Sequence, residues 1–550
     1  MLRITSILLL VVVVTAESGC GGSGSGGQTN QDGSNSGDNA TTVVVTPGAI
    51  GQVWQGTTVA FQAQVTGQSN LAVVWSVREG SAGGSIDGTG LYTAPHAAGT
   101  FHVVATSQAD PTARGVASVD VPPVTVLISP PTEVLRIGGQ RQFGGFAVAA
   151  DQNVTWKILE GQAGGNITTG GFYTAPSVTG TFHVTATSLF DPSISTTAPV
   201  TIVTTGFTPI SDMEVTRFEH TATSLVDGRV LVAGGTSDPT RSAELFTPLV
   251  SSFSPISMIQ VRAGHCAALL MSGEVLIAGG HDANGSPLKT AELFDPATQN
   301  FTATGDLNQA RTGATATLLP SGKVLIAGGQ DGSGALLFTA EVYDPISGTF
   351  SVTGNMNIPR AQHTATFLSS GRVLLVGSTT ATAKTELFDP VSGLFTPTGS
   401  LINARAHHTS TLVLGGKVLV LGGDAGGISL DSIEIYDPAS GTFNSAGKLG
   451  VPRASHSATL LPSGMILVAG GYSRGFDGDA QPFFNTMFAA ELINPNTFAS
   501  TVAASLEGSR AEHVAAILNN GQVLVTGGRS GSGSSLHTFL ASVASAELYK

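Results

Sequence analysis

The sequence predicts an all-β chain: two β-sandwiches followed by a seven-bladed β-propeller. Three observations predict it. One set of four strand-like runs recurs seven times after about residue 205. A different unit recurs twice before it, and no helical period is sustained anywhere. The chain has 71 Gly and only 11 % charged residues, a turn-rich β composition.

The stretch Arg360 to Phe395 shows the repeat. Arg360-Ala-Gln-His363-Thr-Ala-Thr-Phe-Leu leads to the turn Ser369-Ser370-Gly371 and then to Arg372-Val-Leu-Leu-Val-Gly377. Thr385-Glu386-Leu387-Phe388, the turn Asp389-Pro390-Val391-Ser392-Gly393 and Leu394-Phe395 follow. Four short β-type runs between turn signals make one antiparallel sheet. Arg with His three places later recurs at Arg217/His220, Arg262/His265, Arg405/His408, Arg453/His456 and Arg510/His513. Arg311 begins a copy in which Ala314 replaces the His. A Gly pair follows each, at 234–235, 279–280, 328–329, 422–423, 470–471 and 527–528, with Gly377-Ser378 in the fourth copy. A Glu then opens each third strand: Glu244, Glu292, Glu341, Glu386, Glu434, Glu491 and Glu547. The period of roughly 45–57 residues is that of propeller blades.

The Gly pair, the Glu and the third-strand aromatic resemble the kelch repeat. The resemblance spans 205–550 and implies a seven-bladed kelch-type β-propeller. The last copy ends at Ala546-Glu547-Leu548-Tyr549-Lys550, without a fourth run. Residues 206–210, Gly-Phe-Thr-Pro-Ile, read like that missing strand, so strand 206–210 is expected to close the ring.

Ahead of the repeats, residues 43–204 hold a tandem unit with an offset of 81: Trp75 matches Trp156, Glu79 matches Glu160, and Leu91-Tyr-Thr-Ala-Pro95 matches Phe172-Tyr-Thr-Ala-Pro176. Short alternating strands at this spacing make β-sandwiches, here 43–122 and 123–204. The Trp, the Tyr-Thr-Ala-Pro run and the closing Val-x-Ala-Thr-Ser strand resemble bacterial Ig-like domains of the adhesin type, which implies a spacer role. Trp75 and Trp156 are expected in the core rather than as sugar platforms, and His102 and His183 as structural.

At the N-terminus, residues 1–19 read as an export signal, with Arg3 before the apolar run Ile7 to Val14. Gly19-Cys20 before a Gly/Ser stretch resembles a bacterial lipoprotein site, with Cys20 lipidated; cleavage near Ala16 and secretion is the alternative. Residues 20–42, mostly Gly, Ser, Asn, Asp and Gln, are expected to form a flexible tether. The expected location is therefore outside the cytoplasm, anchored to the bacterial envelope by lipid alone. The other cysteine, Cys266, falls in a strand, so no disulfide framework is implied. A net charge of −13 without a basic cluster argues against nucleic acid as a partner.

The repeated Arg, Glu and His are read as structural: an Arg–carboxylate pair maintained in or between blades, and His rings bonded to backbone. Identical His spaced around a ring do not converge on a metal. The Gly pairs end the second strand where a side chain would obstruct the turn or a neighbouring blade. Copper-radical oxidases of kelch shape need a Cys–Tyr crosslink, which Cys266 is poorly placed to supply, and the Asp-box of sialidases is missing. No cofactor is expected.

Departures from symmetry point to a site. The sixth and seventh copies have long loops after the Gly pair, Tyr472 to Ala490 and Arg529 to Ala546. Tyr472, Phe476, Phe483 and Phe484 are read as apolar or stacking surface, and Arg474, Asp477, Asp479 and Arg529 as polar contacts. Asp477 and Asp479 alone are too few oxygens for Ca²⁺. The resemblance to kelch propellers, in which the loop after the Gly pair lies at the channel mouth, implies that both loops stand on one face there as a one-sided wall. The expected function is recognition of a protein or glycan at the cell envelope by a monomer. A carbohydrate-active enzyme with its site at the mouth is the alternative.

Overall fold

The computed structural model describes residues 40–235, 242–380, 382–476, 482–533 and 541–550. The chain divides after Pro123 into two compact units, each considered by itself.

In the first unit, Val73–Val77, Gly99–Ser107 and Arg114–Val121 form an antiparallel sheet that Ala49–Ile50 joins in parallel. Thr58–Ala60, Leu91–Thr93 and Ser85–Ile86 make a second sheet, and Thr42–Thr46 pairs with Gln62–Thr66. The alternation of apolar and polar residues places Phe61, Tyr92, Val103 and Val119 in one core, with Trp75 packed against it. The buried Tyr92 hydroxyl donates to Gly83 O at 2.5 Å, which removes the cost of burying it. His102 meets Glu79 at 2.7 Å on the strand surface, a structural contact.

The second unit begins with the same topology, and Tyr173, Trp156 and the His183–Glu160 pair repeat these roles. It departs from the first copy at two positions. Ile50 and Val59 of the first copy, which lie beside Val119 and Tyr92, are replaced by Glu133 and Arg141, which lie beside Val200 and Tyr173. Both charges are buried and paired at 2.6 Å. Arg141 donates to Leu506 O at 2.8 Å and stacks on Phe488. Ser505 donates to Glu133 from its hydroxyl and to Val134 O from its N–H. The ion pair stands where this copy docks on the repeats. Arg141→Ala leaves the Glu133 carboxylate buried with one partner fewer, at a cost of about 3–5 kcal/mol. Calorimetry of the variant should resolve a separate, earlier melting of residues 124–203; one unchanged transition counts against the docking.

Residues 207–549 build seven four-stranded antiparallel sheets. The first consists of Thr221–Ser224, Val230–Ala233, Ser242–Thr247 and Ser252–Ser257. The first strands of the others are Cys266–Leu269, Thr315–Leu318, Thr364–Phe367, Thr409–Leu412, Ser457–Leu460 and Val514–Ile517. Each packs beside the first strand of the next sheet, and Val514–Ile517 packs beside Thr221–Ser224. The second strands, such as Val230–Ala233 and Val373–Val376, are wholly apolar in six sheets because neighbouring sheets cover both their faces; the seventh, Val523–Thr526, ends in a buried Thr. The seventh sheet takes its outer strand from the start of the array. Phe207–Pro209 pairs antiparallel with Ala546–Tyr549, and Phe207 packs on Tyr549 at 5.0 Å between ring centroids. Phe388 and Phe395 make the same contact in the fourth sheet.

The repeated ions hold each sheet together from within. Arg217 donates to Glu244 at 2.7 Å and to the Gly234 carbonyl at 2.6 Å. The other oxygen of Glu244 accepts from the N–H of Glu214 in the loop leading to Arg217. The six other Arg–Glu pairs are likewise buried. Each guanidinium is paired with a carboxylate that also accepts from the loop, which offsets the cost of burial and fixes the loop, while the Nε atoms of Arg217, Arg360, Arg453 and Arg510 stay without a partner.

The repeated histidines join one sheet to the next, and here the expectation of backbone bonding is corrected. His265 Nε2 meets Thr221 Oγ1 at 2.9 Å, and His363, His408, His456 and His513 meet Thr315, Thr364, Thr409 and Ser457 in the same way. Each bonds the hydroxyl one place after the His position of the preceding sheet, which for Thr315 is Ala314. In the seventh sheet that position is Val514, so His220 uses Thr526 instead. In the third sheet the His is Ala314, and the facing position of the second sheet is Cys266, packed in the same apolar cluster. Donor and acceptor are lost together. The Nδ1 atoms of the six histidines are buried without partners. A bare lone pair costs less than a bare N–H, so the proton sits on Nε2 and is donated to the hydroxyl. The imidazole edge also explains the first Gly in six of the copies: a Cβ on Gly527 would lie 2.8 Å from His220, whereas one on Gly279, beside the copy with Ala314, would meet the Arg311 carbonyl.

Candidate functional site

Between the repeated Arg and His lies a residue whose identity varies: Glu219, Gly264, Gly313, Gln362, His407, Ser455 and Glu512. All seven occupy the left-handed region, with φ between 49° and 67°. Five of them carry side chains, which is an uncommon and strained arrangement. The backbone at this level is linked from sheet to sheet. Gly264 N–H donates to Glu219 O, Gly313 to Gly264, Gln362 to Gly313, Ser455 to His407 and Glu512 to Ser455, at 2.8–3.1 Å. A second set follows the Gly pairs, where His281, Gln330, Asp424, Tyr472 and Arg529 bridge to the residue after the repeated Arg.

These two sets meet at a cavity of about 690 Å³, lined by Glu219, Gln362, His407, Asp424, Ser455, Tyr472, Arg474, Glu512 and Arg529 together with four of the ring histidines. Its polar groups are partnered unevenly. Asp424 accepts from Tyr472 Oη at 2.9 Å on one oxygen and from His407 Nδ1 at 2.9 Å on the other. Glu219 meets His281 Nε2 at 3.1 Å. Arg529 lies 3.6 Å from Glu512 and stacks over Phe218. The Gly264 and Gly313 positions present no side chain, so the functional groups crowd the arc from the fifth sheet to the first.

The charges tune one another. Burial pushes the Glu512 carboxyl up; Arg529 offsets this in part, and Glu219 adds to it. Burial alone would lower His407, but the bond to Asp424 and the charges of Asp424 and Glu512 outweigh it and raise it. Tyr472 is raised by burial and by Asp424. Shifted acids and bases gathered in one cavity mark functional sites.

The residues expected from the sequence fall out unequally. Tyr472–Phe476 and Pro482–Thr486 form a hairpin, and Ser532–Gly533 of the seventh copy adds to its edge, so the two long loops are one small sheet. Tyr472, Arg474 and Arg529 line the cavity. The reading of Tyr472 and Phe484 as stacking surface is corrected. They are 1 % and 2 % exposed and pack on each other at 4.6 Å, with Ala454 and Ala511 beneath. They brace the wall, and only the Tyr472 hydroxyl is engaged with site residues. Phe476 and Phe483 hold backbone positions opposite Pro482 and Gly475, while Asp477 and Asp479 lie outside the described residues. Glu219, Gln362, His407, Asp424, Ser455 and Glu512 were missed. The signal was present: the position holds five different residue types in seven copies, between an Arg kept in all seven and a His kept in six.

Residues 262–308, 312–357 and 405–450 match the Kelch motif. Comparison with curated proteins finds no match. Among solved structures, a fungal alcohol oxidase of the AA5 family in complex with copper is similar, with a TM-score of 0.51 and 17 % identity over 63 % of this chain and 76 % of that one. That likeness shows the fold alone. The residues here do not fit a copper centre of that kind. Cys266 contacts the Ala278 carbonyl, Tyr472 is committed to Asp424, and no three His, Cys, Asp or Glu converge among the described residues. The chain is an all-β protein that carries Kelch motifs in three of its seven repeats.

Proposed function

We propose that the seven sheets are the blades of a kelch-type propeller whose mouth recognises a glycan. The observation that carries this reading is the cavity of about 690 Å³, in which carboxylates, guanidinium groups, an imidazole, an amide and hydroxyls converge. That volume suits a small ligand or a short saccharide rather than a flat protein surface. Donors and acceptors of both signs match a polyhydroxylated partner. The asymmetric wall of the fifth to seventh blades supplies the selectivity that a symmetric ring lacks. Replacing Tyr472–Ala490 by the shorter Asp424–Ile433 should leave the fold intact, since loop length costs little. It removes Tyr472 and Arg474 from the wall, so glycan-array binding by the full chain should fall at least tenfold. Retained binding to the same glycans overturns the reading.

The two leading domains are of Ig-like type in this reading, and present the propeller away from an envelope to which Cys20 is lipid-anchored. In the source cell, Cys20→Ala should move the protein from the membrane fraction to the soluble one. An unchanged distribution favours cleavage near Ala16.

A further inference from the structure

His407, Ser455 and Asp424 stand together at the mouth, and their arrangement goes beyond binding. His407 Nδ1 is held by Asp424 at 2.9 Å, so Nε2 is the nitrogen left for a ligand in the cavity that His407 lines. Asp424 is itself fixed on its second oxygen by the buried Tyr472 hydroxyl. Ser455 is the next residue along the ring, and its N–H donates to His407 O at 2.9 Å. Ser455 lines the same cavity, on a backbone held at φ 49°. A serine on a strained turn, beside a histidine oriented by a buried carboxylate, has the parts of an acyl-transfer site.

We propose that this arc hydrolyses carboxylic esters, with Ser455 as nucleophile, His407 as general base and then acid, and Asp424 as the residue that positions His407. The inference is independent of whether the alcohol part of the ester is a sugar. Ser455 Oγ forms a bond to the ester carbonyl carbon while its proton passes to His407 Nε2. The C–O bond to the leaving alcohol breaks as His407 returns that proton to the leaving oxygen. Water then attacks the acyl-serine, gives its proton to His407, and Ser455 leaves with that proton as the free acid departs. No oxidant, reductant or cofactor is consumed. Arg474, which lines the same cavity, supplies positive charge for the oxyanion.

The test uses the full chain and a fluorophosphonate probe, with the adduct located by peptide mass spectrometry. The adduct is expected on Ser455. Ser455→Gly should abolish labelling while keeping the melting temperature at or above that of the parent, because Gly relieves the left-handed backbone. His407→Asn, which also tolerates that backbone, should slow labelling at least a hundredfold. Asp424→Asn should slow it and change its pH profile, which a merely structural role would not do. No adduct on Ser455 at millimolar probe in the folded parent overturns the proposal, as does labelling that His407→Asn leaves unchanged.

Discussion

Lowering the pH from 7 to 5 should remove about 2 kcal/mol of stability for each ring histidine. The cause is burial. His265, His363 and His513 are pushed down to about 3, and His220, His408 and His456 well below their ordinary value. An unfolded histidine takes up its proton near pH 6.5, but the folded ring refuses it until about pH 3 for the three with that value. Stability is therefore complete above 6.5 and is lost as the pH falls through that window. His281 and His407 work the other way: the bond to Glu219 raises the first, and the bond to Asp424 outweighs burial and raises the second, so their contributions are present at low pH and fade as the pH rises. Six groups outweigh two. Urea midpoints measured from pH 7 to pH 4 should fall steeply, and a flat profile would contradict the neutral ring. The third sheet supplies a control. Replacing His363 and Thr315 by Ala and Cys copies the natural Ala314 and Cys266 arrangement, and should reduce proton uptake on unfolding by about one.

Phe207→Ala should cost about 3–5 kcal/mol, among the largest effects of any single truncation. Phe207 is 1 % exposed and is the aromatic by which the closing strand grips Tyr549. Its neighbours in the core belong to the sixth and seventh sheets, including Leu506 and Val525. A cavity there loosens two sheets and the closure together. Replacing residues 206–210 by Gly and Ser of equal length goes further, because it bares the edge of Ala546–Tyr549 and invites pairing with other chains. The expected readout is a melting temperature at least 10 °C lower, with aggregation on heating. A variant as stable as the parent would mean that the strand is dispensable.

Most of the frame was legible in the sequence because it is repeated. Arg217 with Glu244, and its six copies, announced a buried pair through composition alone: a charge kept at one place in every copy needs a partner there. The matching of Gly206-Phe207-Thr208 to other fourth strands located the closing strand. The histidines were placed on the inner strand, but their partner was misassigned, because the bond runs to the neighbouring sheet and the hydroxyl lies some 44–56 residues away. The mouth was half legible. Loop length drew the eye to Tyr472, Arg474 and Arg529, while Glu219, His407, Ser455 and Glu512 sit in short, featureless stretches. What sets them apart is a left-handed backbone and a place on one cavity, and both are visible only in three dimensions.

The contact between Arg141, Glu133 and the segment Ser505–Glu507 has a mechanical consequence. A pull on the chain ahead of residue 124 reaches the ring by two parallel routes. One is the covalent path through Phe207–Pro209, which would peel the closing strand from Ala546–Tyr549. The other is the buried Arg141–Leu506 and Glu133–Ser505 linkage, which grips the ring at the approach to Arg510. While that linkage holds, tension bypasses the closing strand, and the seam at which the ring would open is the part of it that bears least load.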